Sequence, residues 1–93
     1  FSKSEISKIL NCYSIGVSNG EWKDYALNFN YNEAVFLFFK HSLASPDCIL
    51  IKFKEKRKKR IIYRLAIKNK KNSKYENLDS LLVNLKRSQI SII

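Results

Sequence analysis

The hydrophobic positions of this chain switch between helical and strand spacing, and the switches delimit the elements it predicts. Ile6, Ile9, Leu10 and Tyr13 recur at helical spacing, with Lys3, Ser7, Lys8 and Asn11 elsewhere, so an apolar stripe runs along about three turns. Ser2 is a candidate N-cap with Glu5 three positions on, and Phe1 and Ile6 hold the flanking positions of a hydrophobic staple. A first helix therefore begins here and ends at or just before Gly16.

Asn19-Gly20 is a turn signal, after which the period becomes two. From Trp22 to Phe29, Tyr25, Leu27 and Phe29 alternate with Asp24, Ala26 and Asn28, which predicts a strand. Asn30 to Glu33 then read as a four-residue hairpin loop, setting Phe29 opposite Ala34, Leu27 opposite Phe36 and Tyr25 opposite Phe38. The second strand, Ala34 to His41, is apolar on both faces, as a central strand would be.

Ser45-Pro46-Asp47 breaks the pattern. In the third strand, Cys48 to Lys54, Ile49, Ile51 and Phe53 alternate with Leu50, Lys52 and Lys54. The basic run Lys56 to Arg60 separates it from a fourth strand, Ile61 to Lys68, whose Tyr63, Leu65 and Ile67 make a matching inner face. Pairing Phe53 with Tyr63, Ile51 with Leu65 and Ile49 with Ile67 keeps the inner contacts apolar and sets Lys52 opposite Arg64 on the outer face, a mildly destabilising like-charge pair.

Asn69 to Lys74 reads as a polar loop. Asn77 is the N-cap of a second helix whose Leu78, Leu81, Leu82 and Leu85 share one face, with Lys86 and Arg87 placed to suit its dipole. The tail Gln89 to Ile93 is apolar enough for a short final strand. The expected architecture is a single α+β domain over residues 1–93: helix, four-stranded antiparallel meander, helix and a short C-terminal strand, with both helices on one face.

Composition adds a compartment guess and one charged surface. A hydrophobic share of 45% with 28% charged residues belongs to a folded chain. The longest apolar run, Ala34 to Phe39, is far short of a membrane span. The chain opens at Phe1 and contains no Met, which points to a trimmed or processed piece of a longer product. Cys12 and Cys48 lack the close spacing of zinc ligands or redox dithiols and read as two buried thiols.

The net charge of +10 is unevenly spread. Residues 1–47 hold four basic residues against five acidic ones, and residues 48–93 hold fourteen against three. That asymmetry predicts a surface for nucleic acid, anionic lipid or an acidic protein. Lys outnumbers Arg fourteen to four beside abundant Asn and Ile, a bias that AT-rich codons also produce.

The candidate site is a ridge of Lys52, Lys54, Arg64 and Lys68 on one sheet face, continuous with Lys56, Arg57, Lys58, Lys59 and Arg60. Such a ridge would contact RNA or DNA phosphates without reading sequence, and salt would weaken it. An alternative pocket comprises Trp22, Asp24 and Lys40. The alternative function is a protein-interaction adaptor whose aromatic strand surface, around Trp22, Tyr31 and Phe39, docks an acidic or phosphorylated protein. No enzymatic constellation, metal set or cofactor motif emerges. His41 is the only histidine, and its spacing to Ser42 and Asp24 recommends no catalytic arrangement. Two glycines cannot build a phosphate loop.

The string Gly20-Glu21-Trp22-Lys23-Asp24-Tyr25-Ala26-Leu27, followed by Ala34-Val35-Phe36 and Phe39-Lys40, resembles an uncharacterised alphaproteobacterial family of small proteins, a domain of unknown function. The opening Phe1-Ser2-Lys3 with Glu5, the Pro46 break, Ile51-Lys52 and the closing Leu-rich helix extend the resemblance over nearly the whole chain. Lys-rich loops depart from the Gly-containing segment more usual in that family's second half. The resemblance implies a bacterial, cytoplasmic protein and supplies no activity.

A second likeness joins Leu37-Phe38-Phe39-Lys40-His41-Ser42, Tyr63-Arg64-Leu65 and Leu78-Asp79-Ser80-Leu81-Leu82. It is similar to the strand, strand and helix signatures of phosphotyrosine-binding SH2 domains. Lys40 stands where that family places an Arg, and Lys lacks the bidentate fork. The element order is loosely similar to that of double-stranded RNA-binding domains, but Leu78-Asp79 stands where their last helix begins with a basic pair.

Overall fold

A computed structural model describes residues 1–41 and 45–90, the side chains of 88–90 excepted. The order is α1 (Lys3–Ser18), β1 (Asp24–Phe29), β2 (Glu33–Phe39), β3 (Cys48–Glu55), β4 (Arg60–Ile67), β5 (Ser73–Tyr75) and α2 (Leu78–Ile90), an α+β fold. The strands form one antiparallel sheet in the order β1-β2-β3-β4-β5.

Local chemistry explains both ends of α1. The Ser2 hydroxyl accepts from the Glu5 N–H at 3.2 Å, and Glu5 Oε1 accepts from the Ser2 N–H at 2.8 Å, closing the expected capping box. The helix runs past Gly16 to Ser18, a correction to the predicted stop. Asn19-Gly20 forms its C-terminal cap: Gly20 N–H donates to Val17 O, Glu21 N–H donates to Gly16 O, and Gly20 takes a φ of +75°. This pair of bonds is a Schellman motif, which needs a left-handed residue at the Gly20 position. At α2, Asn77 Oδ1 accepts from Ser80 N–H at 2.8 Å and caps the helix as expected.

The core lies between the helices and one face of the sheet. Ile9 and Cys12 from α1 and Leu78, Leu81, Leu82 and Leu85 from α2 pack with Phe36, Phe38, Cys48, Leu50 and Leu65. The β1–β2 register is the predicted one, with Phe29 on Ala34, Leu27 on Phe36 and Tyr25 on Phe38.

Three expectations need correction. The sheet has five strands, because part of the predicted polar loop pairs with β4 as Ser73–Tyr75. In the predicted C-terminal strand, Gln89 and Ile90 belong to α2, and residues 91–93 lie outside the described residues. The β3–β4 register is displaced by one residue: Lys52 pairs with Tyr63, Leu50 with Leu65 and Cys48 with Ile67.

That slip exchanges the faces of β3, since side chains alternate with a period of two. Cys48, Leu50 and Lys52 point to the helices, and Ile49, Ile51 and Phe53 lie on the open face with Val35 and Leu37 of β2. The loop decides the matter. Glu55 pairs with Arg60, leaving a four-residue turn, and Lys59 closes it at a φ of 49°. Among the described residues, no helix is long and apolar enough to cross a membrane.

Candidate nucleic-acid interface

The nine cations predicted as one ridge are divided by the β3–β4 hairpin into three groups. Lys52 turns toward the helices, where its Nζ lies 2.6 Å from Glu5 Oε1 and 5.8 Å from the centre of the Tyr63 ring. Tyr63 Oη donates to Glu5 Oε2. Burial pushes the Glu5 carboxyl up, but hydrogen bonds from Lys52, Ser2 N–H and Tyr63, with the Lys52 charge, outweigh it and hold the group down at about 2. Burial, then the hydrogen bond to Glu5 and the charges of Glu5 and Asp79, push Tyr63 up to about 12. Lys52 therefore has its charge balanced by Glu5 on the helix side of the sheet. Lys54 shares its face by alternation and is exposed near the strand end.

The second group is the turn itself. Lys56, Arg57, Lys58 and Lys59 are all exposed, and none has an ion-pair partner among the described residues. Four consecutive cations in a tight turn raise the local potential, and the turn projects beyond the last paired rung. Arg60 beside them is partly neutralised, its Nη1 lying 3.0 Å from Glu76 Oε1. A cleft of about 380 Å³ at this end is lined by Glu55, Lys58, Arg60, Ile62, Lys74, Tyr75 and Glu76.

The third group faces away from the helices. Arg64 lies over the Phe53 ring at 5.2 Å, and its cross-strand neighbour is Lys74. The like-charge pair predicted between Lys52 and Arg64 is therefore replaced by one between Arg64 and Lys74. Lys68 Nζ is 3.9 Å from Asp47 Oδ1. The expected common face for Lys52, Lys54, Arg64 and Lys68 is thus corrected: the first two lie on the helix side, Arg64 lies on the open side, and Lys68 follows the end of β4.

The alternative pocket is also dispersed. Trp22 is 4% exposed and packs in the core, its ring centre 5.5 Å from that of Phe38. Its Nε1 is buried without an acceptor among the described residues, a defect that costs about 1–3 kcal/mol. Asp24 falls on the open face by its pairing with Phe39, and Lys40 Nζ lies 3.3 Å from Glu21 Oε1. Of the expected aromatic docking surface, Trp22 is core, Phe39 is half-buried and Tyr31 is fully exposed. His41 is exposed just past β2, and Ser42 lies outside the described residues. Cys12 and Cys48 are both fully buried. Burial raises Cys12 to about 11 against the opposing charge of Lys86, and raises Cys48 further, so neither is a ready nucleophile.

Sequence reasoning missed the Glu5–Lys52–Tyr63 cluster and the place of Lys74 beside Arg64. No local signal links Glu5 to Lys52 across 47 positions, and Lys74 acquires its neighbour only when β5 adds to the sheet.

Residues 1–82, which take in α1, the whole sheet and the start of α2, match the model of a family described as a protein of unknown function (DUF2794). No curated protein and no solved structure matches the chain.

Proposed function

We propose that this chain, which belongs to the DUF2794 family of proteins of unknown function, is a noncatalytic module that contacts nucleic-acid phosphates through the tip of its β3–β4 hairpin. The supporting observation is the run of four exposed cations, Lys56, Arg57, Lys58 and Lys59, without carboxylate partners among the described residues. Arg60 and Lys74 flank the tip around the neighbouring cleft. The ligand class is RNA or DNA, read by charge and not by sequence, because Lys side chains act as point charges without a planar fork. The reading places the module in a bacterial cytoplasm, where such polyanions are abundant.

Four phosphate contacts imply a salt slope of about −3.6 on logarithmic axes for duplex DNA, so affinity should fall roughly 100-fold between 50 and 200 mM salt. Fluorescence anisotropy with generic duplex and single-stranded probes measures this. Replacing Lys56, Arg57, Lys58 and Lys59 together by Ser should abolish both the binding and its slope. Undetectable binding of the unaltered chain at low salt would discard the reading.

A second reading, a protein-interaction adaptor, draws on the apolar open face of the sheet, where Leu37, Ile49 and Ile51 are only half-buried. Its phosphopeptide version is disfavoured, because Lys40 is engaged by Glu21.

A further inference from the structure

The β1–β2 loop and the β3–β4 turn leave the sheet at the same end. Glu33 pairs with Phe53 and Phe53 with Ile62, so the loop, residues 30–32, stands beside the rung of Lys54 and Ile61. Asn30 N–H donates to Glu33 O at 2.8 Å and closes the loop. The β3–β4 hairpin continues to the rung of Glu55 and Arg60 before it turns, so its basic tip begins about 7 Å beyond the last rung of β2.

Apolar surface gathers at this end. Phe29, Tyr31 and Ile61 are 63%, 100% and 46% exposed. Phe29 lies on the helix side by its pairing with Ala34, and Ile61 lies there opposite Lys54. A cleft of about 260 Å³ between the loop and the β3–β4 hairpin has Tyr31, Asn32, Ala34, Lys54 and Ile61 among its walls. Singly exposed apolar side chains are ordinary. Three at one end of a sheet, beside a run of cations, combine the two contacts that a nucleic-acid strand needs: a ring for its bases and charges for its phosphates.

Nearby carboxylates do not cancel those charges. Glu5 is paired with Lys52, and Glu76 with Arg60. Glu33 borders the cleft and accepts from Asn30 Nδ2 at 3.3 Å, and Glu55 takes the other side of β3 from Lys54 by alternation. Against these last two acids stand Lys54, Lys56, Arg57, Lys58 and Lys59, none with an ion-pair partner among the described residues.

We infer that this end of the sheet takes a single-stranded nucleic acid, a base stacking on the Tyr31 ring while the flanking phosphates lie on Lys54 and the basic turn. The inference rests on the phosphate-binding reading and adds to it the strandedness of the ligand. A single strand can turn an unstacked base outward, whereas a duplex keeps the faces of its bases against one another. Against a duplex the Tyr31 ring is therefore idle, and only the cations grip. Stacking uses a face common to every base, so RNA and DNA strands both fit.

Fluorescence anisotropy at about 50 mM salt tests it, with an unstructured strand of about 12 nucleotides, as RNA and as DNA, and with the matching duplex. Tyr31→Ala alters a fully exposed side chain, so the circular dichroism spectrum should be unchanged. It should weaken binding of the RNA strand, the DNA strand or both at least about fivefold, and leave duplex binding as it was. The salt slope should also stay the same, because stacking releases no counterion. Tyr31→Phe keeps the ring and should bind as the unaltered chain does. Lys54→Ser should instead flatten the single-strand slope by about 0.7, and an unchanged slope removes Lys54 from the contact.

A chain that binds its probes with no loss in Tyr31→Ala overturns the inference and leaves the phosphate-binding reading standing. Equal losses for strand and duplex overturn it too, because the ring then serves something other than a base. A Tyr31→Phe variant as weak as Tyr31→Ala moves the contact to the hydroxyl and overturns the stacking. Failure of the unaltered chain to bind any probe overturns both readings together.

Discussion

On one side the sheet presents Phe36, Phe38, Cys48, Leu50 and Leu65 to two helices, and on the other it presents Val35, Leu37, Ile49, Ile51 and Phe53 to solvent. The two sets hardly differ in apolar character. They differ in cover: the first five are at most 3% exposed, and the second five are each partly open. Their charges differ in the same way. On the helix side Lys52 is held by Glu5 against the Tyr63 ring, and on the open side Arg64 and Lys74 stand opposite each other with no ion-pair partner among the described residues. For these ten residues, burial therefore follows from where the helices dock more than from the chemistry of the strand that carries them.

The contrast is broken most directly by truncating matched leucines. Leu50→Ala, at a fully buried position, should cost about 2–5 kcal/mol through lost transfer and a residual cavity. Leu37→Ala on the open face should cost less than about 1.5 kcal/mol in urea titrations at low micromolar protein.

Acid sharpens the electrostatic half of the comparison. The folded Glu5 carboxyl titrates at about 2, below its ordinary 4.5. Its contribution to stability is present above pH 4.5 and is lost as pH falls from there toward 2. The size is on the order of 3 kcal/mol, from about 1.4 kcal/mol per unit. Chemical denaturation at a series of pH values should show this loss in the unaltered chain and a flatter profile in Glu5→Gln. A profile unchanged by that substitution would mean that the Glu5–Lys52–Tyr63 cluster contributes nothing to folding.

Smaller effects belong to the two left-handed residues at turns. Gly20→Ala should cost about 1–2 kcal/mol. An added Cβ would meet nothing within 4 Å, so the expense comes from the φ of +75° alone. Lys59→Gly should stabilise by about 0.5–1 kcal/mol by relieving the φ of 49°. Thermal melts check both, and a Lys59→Gly variant less stable than its parent would contradict the turn geometry.

The parts legible from sequence were those settled within a few residues or by one unambiguous pattern. The Ser2–Glu5 capping box, the Asn77 cap and the β1–β2 register are of this kind. Asn19-Gly20 was legible as a break, but its identity as the cap of a helix that passes through Gly16 was not. At the candidate site, the tip Lys56 to Lys59 emerged as an exposed basic turn, and the ridge meant to extend it divided between two faces.

By itself the sequence determined the type of each long element, the excess of cations in its second half and the position of the basic turn, because these depend on short-range periodicity and composition. Only the tertiary structure decided which face of β3 meets the helices. Ile49, Ile51 and Phe53 alternate as convincingly as Cys48 and Leu50, so the pattern alone allows either register. A four-residue turn in place of a five-residue one, together with the Glu5 carboxylate waiting on α1 for Lys52, selects between them.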